Sequence, residues 1–278
     1  MVSRLPAIPA INTELAAKVL TSFIDNEVRK VGFSKVVLGL SGGVDSALSL
    51  ALAVRALGPT NVTAITMPYT VSAKKNIDDA LALAKQYKVK CITESITPQI
   101  DAYFARHPKA TMLSRGNKMA RERMSILFDY SSRIPALVLG TSNKTELLLG
   151  YGTQFGDLAS AINPLGDLYK TQVWALSAHL ALPKQIIEKI PTADLWEGQT
   201  DEGELGFSYR EADALLYQMV DLRLGDTELA ALGFKPAFIA TVRKRISFNQ
   251  FKRRLPVIPK LSQRTIDKDF RYARDWGH

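Results

Sequence analysis

Residues 36–46 read Val-Val-Leu-Gly-Leu-Ser-Gly-Gly-Val-Asp-Ser, an apolar β-branched run that breaks into a Ser-Gly-Gly-x-Asp-Ser turn. Residues Ala47 to Leu57 continue with helical composition. A buried strand that empties through two glycines into a helix is a βα unit with an anion cradle at its bend. Free backbone N–H groups and the positive end of the helix dipole converge there on one spot. Gly42 and Gly43 remove Cβ atoms that would block a phosphate, Ser41 and Ser46 add hydroxyl donors, and Asp45 is placed to hold a metal ion against bound oxygens. The alternative is an ordinary Gly-rich turn with a serine cap. Two serines and an aspartate around the glycines favour phosphate.

The rest of the N-terminal half repeats the βα alternation. An amphipathic helix spans 13–31, with Leu15, Val19, Leu20, Phe23, Ile24 and Val28 on its apolar stripe. Strand 35–40 and helix 45–57 follow, then strand 61–67, helix 74–88, strand 89–93, a long helix over about 115–131 and a buried strand 136–140. This order predicts an α/β, Rossmann-like, doubly wound parallel sheet with ligands at the carboxyl ends of its strands. From about 165 onward no strand pattern recurs. Helices are expected at 168–180, 183–189, 208–220 and 235–247, followed by an irregular tail (Leu255-Pro-Val-Ile-Pro259, then Arg264 to His278). Without internal repeats or a low-complexity linker, residues 1–278 read as one domain. Its parallel-sheet core covers about 33–165 and its helical C-terminal region about 166–278.

Composition narrows the function classes. At 278 residues, 46% hydrophobic and 23% charged, the chain has the balance of an ordinary globular protein. No stretch approaches the roughly 20 consecutive apolar residues of a membrane span, and Met1 to Asn12 lacks a signal-peptide pattern. A single cysteine, Cys91, excludes an intramolecular disulfide and a Cys-rich metal site. His107, His179 and His278 are too scattered for metal-site spacing. A cytoplasmic enzyme without a membrane partner fits. The net charge of +9 has its basic residues gathered near the C-terminus (Arg243, Lys244, Arg245, Lys252, Arg253, Arg254). Such a surface suits a substrate with several phosphates. With neither interleaved aromatics nor a nucleic-acid module, no nucleic-acid partner is expected.

Four further segments carry chemistry-bearing residues. Leu139-Gly-Thr-Ser-Asn-Lys-Thr-Glu146 is again a strand end turning into a helix, so its loop is expected on the same rim as the cradle. Thr141 and Ser142 can donate to phosphate or ribose oxygens, and Glu146 is placed to share a Mg²⁺ with Asp45. An N-cap at Ser142 or Asn143, with Glu146 as the capping-box acid, explains much of the same pattern without excluding the first reading. Gly150-Tyr-Gly-Thr-Gln-Phe-Gly-Asp157 is a Gly-rich loop. In Asn163-Pro-Leu-Gly-Asp-Leu-Tyr-Lys170 the lysine enters a helix within reach of a γ-phosphate or pyrophosphate, although a lone lysine there is usually solvated. Residues 190–206 are acidic and Gly-punctuated and read as a mobile lid, with 196–206 the candidate for closure.

The cradle is neither GxxxxGK[ST] nor GxGxxG. It resembles the PP-loop of the ATP pyrophosphatases, which split ATP into AMP and pyrophosphate while activating an acid as its adenylate. The order of the segments resembles NAD synthetase, through Ser41–Ser46, Gly140–Glu146, Phe155-Gly-Asp157, Leu168-Tyr-Lys170, Pro191-Thr-Ala-Asp194 with Thr200–Gly206, and Lys252-Arg-Arg254. The resemblance covers roughly residues 35–260 and implies the adenine nucleotide alpha hydrolase-like fold. It implies ATP at Gly39, Leu40, Ser41, Gly42, Gly43, Val44, Asp45, Ser46, Thr141, Lys170 and Thr192, with Asp45 and Lys170 catalytic. Mg²⁺ is implied at Asp45 and Glu146, and deamido-NAD at Arg121, Gln154 and Lys252. The chain departs from the family pattern at Gln154, where Lys is common, at Phe251, where His is common, and at Ala161, where Asp is frequent. The Asn143-Lys144 pair and the 249–274 tail look closer to the synthetase domains of glutamine-using forms than to the shortest ammonia-using ones.

The chemistry implied is final-step NAD synthesis. The nicotinate carboxylate of deamido-NAD attacks the α-phosphate of ATP, and ammonia displaces AMP from the adenylate. Glutamine-using members carry a nitrilase-like glutaminase domain with a catalytic Cys. None fits before a sheet that starts at residue 35, so the expected nitrogen source is free ammonia, or ammonia from a separate glutaminase subunit. The resemblance also implies a homodimer. Another PP-loop ligase acting on tRNA is the runner-up, weakened by the lack of a Cys-x-x-Cys pair. A nucleotide-binding regulator without turnover is the third reading, disfavoured by Asp45, Glu146 and Lys170 occurring together.

Overall fold

Val36, Val37 and Leu38 are all fully buried, so both faces of the strand they form must be covered. The computed structural model of the protein describes residues 6–196, 198–254, 256–266 and 269. After α1 (Thr13–Lys30), capped by the Asn12 side chain, comes β1 (Val36–Gly39), then α2 (Val44–Leu57), β2 (Val62–Thr66), α3 (Lys74–Gln86) and β3 (Lys90–Thr93). Two helices follow, α4 (Thr97–Ala105) and α5 (Met112–Arg133), before β4 (Leu137–Val138). The strands are parallel in the order β3-β2-β1-β4, with Val36 opposite both Val62 and Leu137. The expected doubly wound parallel sheet is what the chain forms.

The two sheet faces split the apolar residues of β1 by alternation. Val36 and Leu38 pack with Ile24 and Val28 of α1, Leu48 and Leu52 of α2, and Leu83 of α3. Val37 packs on the other face with Ile65, Val138, and Met124 and Leu127 of α5. The chain steps from β1 outward to β2 and β3, then returns to place β4 on the opposite side of β1. That reversal is a topological switch point, where the loops leaving the two central strands diverge and open a crevice.

Beyond the sheet, α6 (Lys144–Leu149) and α7 (Lys170–His179) lead into α8 (Lys184–Ile187), α9 (Asp201–Leu205), α10 (Tyr209–Leu216), α11 (Asp226–Ala231) and α12 (Pro236–Phe248). Their own core contains Tyr209, Leu215, Leu229, Ile239 and Val242, and Trp174 of α7 packs against both this core and the sheet's. The structure departs from the sequence pattern in a few places. The 136–140 strand makes only two ladder residues: Leu139 N–H still donates to the Val37 carbonyl at 2.9 Å, but Leu139 bridges Ile162 on its other side, and Gly140 N–H donates to the Ile162 carbonyl at 2.7 Å. The helix expected to run to 220 is α-helical to Leu216 and then widens into a π-turn, Tyr217–Asp221. No periodicity announced α4 or α11, since they bury only Ile100 with Phe104 and Leu229 respectively. Pro256 to Lys260 form no helix, as expected. The first five residues, and residues 255, 267, 268 and 270–278 of the tail, lie outside the described set. Among the described residues no helix is long and apolar enough to cross a membrane.

Leu50 sits in the first core with no exposed surface. Leu50→Ala is expected to lower unfolding free energy by about 2–5 kcal/mol, measured by denaturant titration.

Candidate active site

The bend after β1 organises itself from within. Ser46 Oγ donates to the Gly43 carbonyl (3.0 Å), accepts from Ser41 N–H (3.2 Å) and lies 3.1 Å from Ser41 Oγ. Gly43 N–H in turn donates to Ser41 Oγ at 3.2 Å. Ser46 is therefore turned inward and shapes the loop rather than offering its hydroxyl outward. Gly43 is the N-cap of α2 and supplies no side-chain acceptor, so the first-turn amides of α2 stay available to an anion. Gly42 has φ +80°, and a Cβ there would lie 2.2 Å from the Asn76 carbonyl oxygen. Its glycine is needed by the close approach of α3, a reason other than phosphate clearance.

Lys170 is the centre of the charge arrangement. It is 2% exposed, its Nζ is 2.5 Å from Asp45 Oδ2 and 3.4 Å from Glu146 Oε1, and it lies 4.9 Å above the Tyr209 ring. Burial works against its charge, yet the Asp45 and Glu146 carboxylates outweigh burial and hold the ammonium protonated well above its ordinary range. Burial first, and then the Asp45 charge, push the Glu146 carboxyl up to about 8, against the pull of Lys170. A lone lysine at a helix start is usually solvated, but Lys170, singled out by the family resemblance, is buried. Behind it, Asp213 of α10, fully buried, accepts from Thr145 Oγ1 at 2.5 Å and Thr171 N–H at 2.8 Å. Thr145 Oγ1 also accepts from Lys170 N–H at 3.0 Å.

A cavity of about 530 Å³ opens at the switch point. Of the sequence-predicted residues, Gly39 to Ser46 except Gly42 line it, together with Thr141, Glu146, Lys170, Thr192 and Lys252. One end is apolar, closed by Ile65, Met67, Met124, Leu127 and Leu139. A Cβ at Gly39 would stand 3.2 Å from Met67 Cε, so glycine keeps that end open. Lys252 Nζ donates to the Gly150 and Gly152 carbonyls (2.8 and 2.9 Å), tying the 150–157 loop to the C-terminal region. Arg121 and Gln154 do not line the cavity; Arg121 is exposed and its Nε donates to the Gln154 carbonyl at 3.2 Å.

Several lining residues escaped the sequence reading. Arg123, two positions after Arg121 and so on the opposite side of α5, reaches the cavity and donates from Nε to the Met67 carbonyl at 3.0 Å. Lys189 donates to the Gly42 carbonyl (2.8 Å) and Asn76 Oδ1 (2.9 Å) and pairs with Asp79 at 2.6 Å. The second half of the 190–206 segment, read in sequence as part of a lid, has buried side-chain anchors. Gln199, Asp201 and Leu205 are buried, and Asp201 accepts from Tyr209 at 3.0 Å and lies 3.1 Å from the Tyr151 hydroxyl. Glu197 of this segment is outside the described residues. No group of three or more His, Cys, Asp or Glu able to hold a metal occurs among the described residues. Asp45 and Glu146 nonetheless form a pair of hard carboxylates beside the cradle, a donor set that suits Mg²⁺ when phosphate oxygens and water complete its shell.

A parallel sheet whose switch point carries this loop, a buried lysine and two carboxylates defines a nucleotide-binding α/β protein of the PP-loop type. The sequence model of the NAD synthase family matches residues 16–256. An NH(3)-dependent NAD(+) synthetase of Trichlorobacter lovleyi is 58% identical over 96% of this chain and 98% of its own length. One from Chlorobaculum parvum is 54% identical over 94% and 95%. The solved NH3-dependent NAD synthetase of Campylobacter jejuni, in complex with nitrate ion, superposes with a TM-score of 0.78 at 38% identity, over 90% of this chain and all of that one. The NMN synthetase of Francisella tularensis gives 0.80 at 32%, with the same coverage. The chain belongs to the NAD synthase family.

Gly42→Ala places a Cβ in left-handed backbone, at about 1–2 kcal/mol, and against Asn76. Thermal melting should show a lowered midpoint, and ATP affinity measured by calorimetry should fall with it.

Proposed function

We propose that the protein amidates deamido-NAD to NAD with ATP and ammonia, releasing AMP and pyrophosphate. The observation that carries this reading is the convergence of the α2 amides, Asp45, Glu146 and Lys170 on one wall of a cavity whose other end is an apolar slot. The slot suits an adenine ring, and the amides suit the phosphates. The carboxylate of the acid attacks the α-phosphorus of ATP; the bond to the bridging oxygen breaks, and its electron pair leaves with pyrophosphate. Ammonia then adds to the acyl carbon of the adenylate, loses a proton, and AMP departs. The buried Lys170 ammonium and the cradle amides stabilise charge gathering on phosphoryl oxygens, fixed in place before reaction. Asp45 and Glu146 would hold Mg²⁺, which when bound supplies positive charge to those oxygens. Thr141 and Thr192 face the same space as nucleotide contacts, and water exclusion protects the adenylate from hydrolysis.

The deamido-NAD half of the site is read differently from the ATP half. Lys252 faces the cavity of its own chain, whereas Arg121 lies outside it. We infer a homodimer in which the exposed α5 surface around Arg121, with Phe128 45% exposed, meets a second copy and brings Arg121 and Gln154 to the partner's dinucleotide. We place the reaction in the cytoplasm, where ATP and ammonium are supplied.

Purified protein given ATP, Mg²⁺, ammonium and deamido-NAD should form NAD and AMP in equal amounts by chromatography. Faster turnover of nicotinate mononucleotide than of deamido-NAD would instead align it with the NMN synthetase. AMP release without an amide product would remove both readings. Asp45→Asn should slow pyrophosphate release at least a hundredfold, on the order of losing one transition-state electrostatic contact, with circular dichroism unchanged.

A further inference from the structure

Asn143 is the N-cap of α6 and has no exposed surface. Its carbonyl Oδ1 accepts from Glu146 N–H at 3.0 Å, and Glu146 Oε2 accepts from Asn143 N–H at 3.2 Å, a complete capping box. A cap needs only an acceptor, and aspartate or serine serves as well as asparagine. The amide's other end is used too: Asn143 Nδ2 donates to Asp45 Oδ1 at 2.9 Å, across 98 positions of sequence. The two contacts fix the amide orientation, because exchanging O and N would set the NH₂ against a helix N–H and the carbonyl against a carboxylate.

We propose that Asn143 is a positioning residue for the reaction, whose side-chain NH₂ holds the Asp45 carboxylate so that Oδ2 meets Lys170 while the same amide caps the helix carrying Glu146. This inference rests on the function proposed above for Asp45. The geometry gives the reason. Asp45 has one oxygen on the Lys170 ammonium at 2.5 Å and the other on the Asn143 amide. A carboxylate gripped at both oxygens cannot rotate about its Cβ–Cγ bond. A carboxylate held only by the ammonium can, and the field it presents to a nucleotide is then no longer fixed. Asn143 also couples two loops: it belongs to the exit of β4, Asp45 to the exit of β1, and the hydrogen bond spans the switch point between them. The capping box sets Glu146 through the same residue, so one buried amide orients both carboxylates around Lys170.

Asn143→Ser and Asn143→Thr separate the two roles, since both keep an N-cap acceptor and both remove the amide NH₂ that reaches Asp45. Outer-shell partners of this kind typically cost 10–100-fold when removed. Each variant is expected to keep its melting temperature within about 2 °C of wild type, a shift of less than about 1 kcal/mol. The kcat for NAD formation should fall about 10–100-fold, with the KM for deamido-NAD changed less than about twofold. The rise in melting temperature produced by saturating MgATP, with no acid substrate present, should shrink in both variants. That second readout stands if the true acid substrate differs from deamido-NAD, because it requires no turnover; wild-type NAD formation tests the function itself. Wild-type kcat and an undiminished MgATP shift in either folded variant would show that Asn143 is a cap alone and overturn the inference. Failure of both variants to fold would overturn it equally, by making the contact structural.

Discussion

The ammonium of Lys170 is the interaction on which the site depends. It is buried against Asp45 and Glu146: the carboxylates hold the ammonium charged, and the ammonium opposes the burial and Asp45 charge that push the Glu146 carboxyl up. Removing the lysine would leave Asp45 and Glu146 facing one another in a poorly solvated crevice. Breaking a buried pair from one side costs about 3–5 kcal/mol. The surrounding scaffold serves this arrangement. The exit of β1 supplies Asp45, the capped start of α6 supplies Glu146, and the start of α7 supplies Lys170 itself. Asp213, from the helical C-terminal region, ties the last two through Thr145 and Thr171. Sheet and helical region therefore meet at the charges as well as at Trp174.

What was legible in the sequence was what is local. The strand-turn-helix at 36–57 is a contiguous piece whose composition fixes its shape, and β1, β2 and β3 fall within a residue or two of their expected bounds. The cavity-lining part of the cradle, Thr141 and Glu146 were likewise readable, because each sits at a strand exit or helix start, whereas Lys170 was singled out by the family resemblance rather than by its spacing. Order along the chain, together with the parallel-sheet rule, put those starts on one rim. The short helices α4 and α11 were not legible, since one or two inward residues cannot set up a period.

The unread part of the site is non-local. Lys189 reaches Gly42 across 147 positions and Asn143 reaches Asp45 across 98. Arg123 lines the cavity and Arg121 does not, because the two lie on opposite sides of one helix. The contacts of the acidic 190–206 segment, read in sequence as a mobile lid, are non-local too. Asp201 is enclosed by two tyrosines, Tyr151 and Tyr209, supplied from outside the segment.

The grip on Gly42 has an evolutionary consequence. Its carbonyl takes the Lys189 ammonium, its missing Cβ leaves room for the Asn76 carbonyl, and Asn76 Oδ1 accepts from the same ammonium. Three positions far apart in the gene thus form one unit, and substitutions among contacting residues do not combine additively. A sequence drifting at any one of them meets a landscape set by the other two. This stretch of the fold can therefore change only by correlated steps.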